Sequence, residues 1–444
     1  MKIQLSDHFT YGKLLRFTLP SIAMMILSSV YGVVDGFFIS NFAGKTAFAA
    51  INLIHPILMI AGLVGVVFGS GGTALVAKTY GEGDTKRANS YFSLFVLVTA
   101  GLGTLLATVG FLFAPGIAAL LGAEGALQES CVTYARIILL ALPFYVLQIM
   151  FQSFFAAAEK PHIGLAVTVI SGVTHVGLDA LLILLLPQEL KLVGVAVSSA
   201  VSQVLGGAIP LVYFLRKNSS VFRLGKTRFD GRAILKACTN GSSEFMASIS
   251  SSVIGILYNA QLMKYAGENG LAAYGAIMGV STFFVMAFSG YAAGVGPVIG
   301  YHYGAKNHTE LKNLLRKSMT LIATAGLVVA IAAELFAKPL VGIYVGYDAE
   351  LWAFTETGFR IFAASFVFIG FGFFTSSFFT SLNDGVTSAL ISFLRTFIFQ
   401  CSAVMLLPLL FDINGVWLSY AFAEVVSFVL GITFILLKRK KFGY

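Results

Sequence analysis

The stretch 171–187, SGVTHVGLDALLILLLP, is almost wholly apolar, yet it places His175 and Asp179 four residues apart. On a helix that spacing puts imidazole and carboxylate one above the other on a single face. An acid and a base so placed can bind a cation or pass a proton. In hydrocarbon an ionised carboxylate costs roughly 2.5 to 3.5 kcal/mol even on insertion scales, so such a residue points to function. Asp35 in VYGVVDGFFIS and Ser199 in GVAVSSA are further polar groups in apolar runs.

The elements that carry these groups follow from composition. With 57% hydrophobic and 11% charged residues over 444 positions, the chain lacks the polar groups to clothe a water-soluble globule, so it is expected to be an all-α integral membrane protein. About 20 apolar residues cross a bilayer core of about 30 Å. About twelve such spans are expected, at 17–39, 51–77, 92–114, 134–156, 163–186, 193–215, 237–262, 272–300, 318–337, 357–381, 387–410 and 415–437.

Lys and Arg gather at both ends and in alternate loops: Lys2, Lys13 and Arg16, then Lys78, Lys86 and Arg87, Lys160, the run 216–236, Lys306 to Lys317, and Lys438 to Lys441. Cytoplasmic loops retain these residues, so both termini are expected in the cytoplasm. The net charge of +9 then reads as topology with some affinity for anionic lipid, and no nucleic-acid partner is expected. Cys131, Cys238 and Cys401 are scattered and odd in number, which supports neither a disulfide framework nor a metal site. The first apolar run lacks a small-residue cleavage site and reads as a retained helix.

Depth shows which polar groups could meet. On a rise of 1.5 Å per residue, Asp35 sits about 27 Å and Asp179 about 24 Å from the cytoplasmic starts of their helices, with Ser199 roughly 21 Å from the inner surface. All three therefore fall in the outer half at similar depth. Two carboxylates brought together cannot both stay ionised without a cation between them, which is the property an H⁺- or Na⁺-coupled carrier uses. For Asp35 the alternative is an interfacial residue reaching water, and for His175 a hydrogen bond that only packs the bundle.

The chain also repeats itself. FAGKTAFAAINLI (42–54) is answered by YAGENGLAAYGAI (265–277), and LVAKTYGEGD (75–84) by VIGYHYGAKN (298–307), at the same separation. SFF at 153–155 and 377–379, and GVAVSSA (194–200) with GVWLSYA (415–421), follow at nearly that separation. Four sites in order argue for duplication of a six-helix unit. Six is even, so both copies enter from the same side and form a parallel repeat. The expected domains are an N-terminal lobe at 1–216, a basic cytoplasmic linker at 217–236 and a C-terminal lobe at 237–444.

VVDGFFIS at the end of the first span, GGTALVAKTYGEGD at the exit of the second with its echo GVGPVIGYHYGAKN, the Asp of the fifth span and the duplicated plan together resemble the MATE (multidrug and toxic compound extrusion) family over nearly the whole chain. The resemblance implies two six-helix lobes around a central cavity and export of organic cations driven by inward Na⁺ or H⁺. It also implies a coupling-cation site at Asp35, Asp179, His175 and Ser199. Where the family has an Asn, this chain has His175. Imidazole offers nitrogen where hard Na⁺ prefers oxygen, and it titrates near neutrality, which favours H⁺.

In the second half the resemblance makes Glu244 a candidate substrate or second proton contact. The alternatives are an ion pair with Arg395 or a side chain reaching the inner surface. Glu424 lies at a depth that suits Arg395, and pairing of those two is expected. The tenth span carries no acid, and its Phe residues read as lipid-facing in preference to a cation–π surface. Trp352 and Trp417, near the outer ends of their spans, read as interfacial anchors.

The expected function is thus a monomeric secondary antiporter of the cytoplasmic membrane, with small organic cations as cargo, lipids as partners and no cofactor beyond the coupling ion. An exporter of a lipid-linked precursor is the alternative, and it would want a basic cavity, whereas one buried Arg stands against four buried acids. A primary pump needs a P-loop, and GKT at 225–227 lacks the preceding glycine and strand. An intramembrane enzyme would need a nucleophile with its base or a metal cluster, and neither occurs at usable spacing.

Overall fold

The computed structural model describes residues 3–444, so Lys2 lies outside the described residues. Among the described residues twelve helices account for the expected spans. The first six are α1 (Tyr11–Phe38, prolonged by a π-turn to Ala43), α2 (Lys45–Gly81, with a π-turn at Phe68–Gly72), α3 (Thr85–Leu120), α4 (Gly125–Ala157), α5 (Pro161–Leu185) and α6 (Lys191–Leu215).

After an irregular stretch come α7 (231–266) and α8 (268–304), which run on from each other through a break at Gly267. They are followed by α9 (His308–Leu335), α10 (Ala349–Ala363 and Phe366–Ser381, bent by 48°), α11 (Gly385–Leu406) and α12 (413–442). Among the described residues ten helices are long and apolar enough to cross a membrane; the broken helix counted as two and the bent pair as one span bring the total to twelve. Most helices outrun the apolar spans because their polar ends keep the helix going beyond the hydrocarbon.

The duplication is written into the backbone as well as the sequence. Left-handed residues recur at matching positions of the two halves: Gly44 (φ 92°) and Gly267 (φ 58°), Gly83 (φ 87°) and Lys306 (φ 53°), Glu159 (φ 57°) and Asn383 (φ 58°). A side chain at positive φ is disfavoured, so its repetition at Lys306, Glu159 and Asn383 marks turns that the fold requires. The caps match too. Asp84 accepts from the Arg87 amide at the start of α3, and Asn307 accepts from the Glu310 amide at the start of α9.

In space the chain forms two compact units, residues 23–238 and residues 239–444 together with the segment that ends at Ile22. The cut thus falls inside α1. Residues 5–22 pack onto α8 and α9: the Phe9 amide donates to Glu310 Oε1 at 2.9 Å, Lys317 Nζ donates to the Phe9 carbonyl at 2.6 Å, and a Cβ on Gly290 would stand 2.6 Å from Ile22 Cα. The basic stretch after α6 lies against α3, with Phe222 buried on Phe92 and the Thr227 hydroxyl donating to the Ser90 carbonyl.

Two apolar expectations change. Phe366, Phe374, Phe378 and Phe379 of α10 are fully buried within their unit, so the ring-rich helix is packed core and not a lipid-facing surface. Trp417 is likewise buried, its ring against Gly358, where a Cβ would come within 2.8 Å. It is a core residue and no interfacial anchor, because a helix end facing a small residue offers the indole a better-packed place than the membrane boundary. Trp352 stays partly exposed and donates from Nε1 to the Lys338 carbonyl at 2.9 Å.

Candidate cation-coupling site

The first unit brings Asp35, His175, Asp179 and Ser199 to one place, and two glycines make the approach possible. At Gly172, one turn before His175, a Cβ would fall 1.9 Å from the Tyr31 ring, so only glycine lets the residues preceding Asp35 on α1 lie flat against α5. At Gly65 a Cβ would stand 2.4 Å from the Val146 carbonyl, so α2 and α4 meet backbone to backbone behind the site.

Between α5 and α6 the polar residues form three rungs. Ser171 Oγ donates to the Ser202 carbonyl at 2.8 Å, His175 Nε2 meets Ser199 Oγ at 3.0 Å, and Ser198 Oγ donates to Asp179 Oδ1. The rungs climb α5 by four residues at a time, the period that keeps one face towards α6.

His175 Nε2 is also 3.6 Å from Asp35 Oδ1 and 3.4 Å from Asp179 Oδ2. One ring nitrogen therefore faces both carboxylates. The ligand atoms of Asp35, His175 and Asp179 all lie within 4.8 Å of one another. Asp179 is fully buried, and its Oδ2, like Asp35 Oδ1, has no hydrogen-bond partner among the described residues. Buried carboxylate oxygens are ordinarily satisfied, so two unsatisfied ones turned towards a common gap make a place to which a cation would be drawn. A proton or a Na⁺ would supply what they lack.

The cluster opens on a cavity of about 270 Å³ within the same unit, walled by Tyr31, Tyr134, Tyr145, Gln148 and Gln203 and reaching His55. Sequence reasoning missed Ser198 and Tyr134. The signal for the serine was present in SSAVSQ, where small hydroxyls at 198, 199 and 202 share one stripe of α6. Tyr134, buried beside Asp35 and Asp179, carried none, since a tyrosine near the start of a span reads equally well as an interfacial residue.

In the second unit Arg395 grips Glu424 through Nε and Nη2, at 3.1 and 2.9 Å, both residues being buried. A π-turn at Leu394–Phe399 turns the guanidinium into place, Gly372 leaves room for it, and its charge lies 4.3 Å from the centre of the Phe373 ring. The expected Arg395–Glu424 pair is present. Glu244 feels the Arg395 charge but makes no ion pair within 4 Å among the described residues.

The MatE family profile matches residues 20–181 and 245–404, one stretch in each half of the duplication. The chain is 25% identical over 439 residues to the Multidrug export protein MepA of Staphylococcus saprophyticus, covering 96% of this chain and 94% of that one. It is 26% identical over 437 residues to the protein of the same name from Staphylococcus aureus, with 97% and 94% covered. A solved structure described as the outward-facing conformation of a multidrug resistance MATE family transporter of the MOP superfamily superposes with a TM-score of 0.88 at 20% identity, covering 98% of this chain and 97% of that one. With the profile matched in both halves and relatives aligned along almost its whole length, the chain belongs to the MATE family of multi-pass cell-membrane transporters, and it is not an enzyme.

Proposed function

We propose that this transporter is a secondary active multidrug exporter that moves organic, amphiphilic cations out of the cytoplasm in exchange for H⁺, with Na⁺ as the alternative coupling ion. The observation that carries the reading is the Asp35–His175–Asp179 cluster, two acids and one titratable base around a gap at the edge of a cavity. Loading a cation into that gap offsets one of its negative charges. Releasing it leaves an anionic cavity lined by tyrosine rings, which suits a flat organic cation. The name shared by the Staphylococcus relatives supports drugs as cargo. His175, which offers nitrogen where hard Na⁺ prefers oxygen, supports H⁺ over Na⁺.

Both termini are assigned to the cytoplasm from the Lys and Arg distribution, and the transporter acts as a monomer with lipids as its only standing partners. Export of an anionic lipid-linked precursor is disfavoured because the buried cation Arg395 is already neutralised by Glu424.

The test is efflux of ethidium from proteoliposomes holding the full-length protein, with a pH gradient or a Na⁺ gradient imposed alone. Efflux driven by the pH gradient alone is expected. Efflux that neither gradient accelerates would overturn the reading.

A further inference from the structure

Asp179 has two oxygens with different fates. Oδ2 faces the gap with His175 and Asp35, whereas Oδ1 is turned away and receives the Ser198 hydroxyl. Ser198 is fully buried and is the immediate neighbour of Ser199, the residue that meets His175. Two consecutive residues of α6 thus each hold one member of the acid–base pair of α5. The Ser198 oxygen has a second acceptor in the Val195 carbonyl, at 2.9 Å. A hydroxyl has one proton, and an anion outbids a peptide carbonyl for it, so the bond to Asp179 is strongest while the carboxylate is charged.

The pair cannot drift apart, because α5 and α6 touch closely at this level. A Cβ on Gly194 would stand 2.9 Å from the Leu186 side chain and 3.1 Å from that of Leu182. The ionisable groups that face Asp179 or its cavity are Tyr31 and Asp35 from α1, His55 from α2, Tyr134 and Tyr145 from α4 and His175 from α5; α6 contributes hydroxyls and the Gln203 amide, none of them ionisable.

We infer that Ser198 is a positioning residue of the coupling site: it pins Asp179 Oδ1 so that Oδ2 alone is presented to the exchangeable cation, and its hydrogen bond sets the proton affinity at which the site loads. Nothing in the sequence resemblance singles this serine out. The inference rests on the proposed coupling role of Asp179. No covalent step is involved; the proton that loads the site comes from the gradient, and the Ser198 proton stays on the serine, shifting towards the Val195 carbonyl as Asp179 loses its charge.

The experiment is a pH titration of the Asp179 carboxyl in the full-length protein in lipid, followed by infrared difference spectroscopy, its band being the one that Asp179→Asn removes. Ethidium efflux against pH is measured in parallel. Ser198→Ala is expected to move the carboxyl midpoint and the efflux profile together to higher pH, by about one unit, or tenfold in proton affinity. Ser198→Thr, which keeps the hydroxyl, should return both to the parent value, whereas a loss of packing alone would lower activity without moving either midpoint.

If the alanine variant does not fold, Ser198→Cys, close in size and a weak donor, should show the same upward shift. A parent that exports under the gradient, with a titrating Asp179 band that none of these variants moves, would overturn this inference and leave the transport reading standing. A parent whose Asp179 band does not titrate, or that exports under neither gradient, would overturn both.

Discussion

The fifth and sixth helices of each half carry charge in opposite ways. Around α5 and α6, Asp179 and, from α1, Asp35 gather about His175 beside a cavity, with two carboxylate oxygens unsatisfied among the described residues. On α11 and α12 Arg395 meets Glu424 in a forked pair, closed off from solvent and capped by the Phe373 ring. The frame is duplicated, but its electrostatics are not. A site whose own side chains leave it short of a cation can exchange one with the medium, whereas a site that already contains its cation has nothing to exchange and serves packing. On this comparison we propose that coupling belongs to the first unit.

The comparison breaks if the two pairs respond alike to mutation. The largest effect is expected from Asp179→Asn, which should abolish gradient-driven ethidium efflux while leaving insertion and thermal stability intact, since it removes a charge from the apolar phase. Asp35→Asn should do the same, and the double variant should be little worse than either. Losses that add, measured as initial rates in proteoliposomes, would assign the two acids separate roles.

Arg395→Met should act on stability instead. It strands a buried carboxylate, a loss of about 3 to 5 kcal/mol, which thermal unfolding in detergent would register as a large drop in Tm. Adding Glu424→Leu should recover most of it and restore efflux. A double variant that is stable yet unable to transport would give the second unit a part in coupling.

His175→Asn sharpens the account of the first site by a smaller effect. An amide oxygen suits Na⁺, and a neutral amide takes up no proton near neutral pH. The ratio of Na⁺-driven to H⁺-driven efflux should rise several-fold, and an unchanged ratio would reduce His175 to a packing residue.

The smallest effect lies at the start of α11, outside the spans. Burial works against the Asp384 charge, but the hydrogen bond from Lys438 Nζ at 2.7 Å, with Thr387 and the Lys441 charge, outweighs it and holds the carboxyl below its ordinary 3.8. A group depressed in the folded state stabilises above its unfolded value and loses that contribution as pH falls through the folded one. Asp384→Asn should therefore cost about 1 kcal/mol of stability at pH 7, read as a modestly lower Tm, and the gap to the parent should close below about pH 4. A gap that persists in acid would mean that the carboxylate charge contributes nothing.

Sequence and tertiary structure divide this protein along a physical line. Hydropathy reports the solvent, so twelve spans were legible one by one, and the separation of Gly44 from Gly267 and of Gly81 from Gly304 disclosed the duplication because both halves need the same turns. Spans read this way stop at the hydrocarbon edge, which is why α3 runs from Thr85 to Leu120 where the apolar signal covers only 92–114. Depth along a straight helix is also arithmetic on a fixed rise, and it placed Asp35, Asp179 and Ser199 at one level.

Rotation about the helix axis is not fixed by depth. Which side of α6 faces α5 decided that Ser198 as well as Ser199 reaches the acid–base pair, and which side of α10 and α12 faces inward took the phenylalanines and Trp417 from the membrane into the core. In a chain this apolar every face of a helix can bear lipid, so periodicity carries little information about what lies inside, and close packing at residues such as Gly172, Gly194 and Gly358 makes the choice.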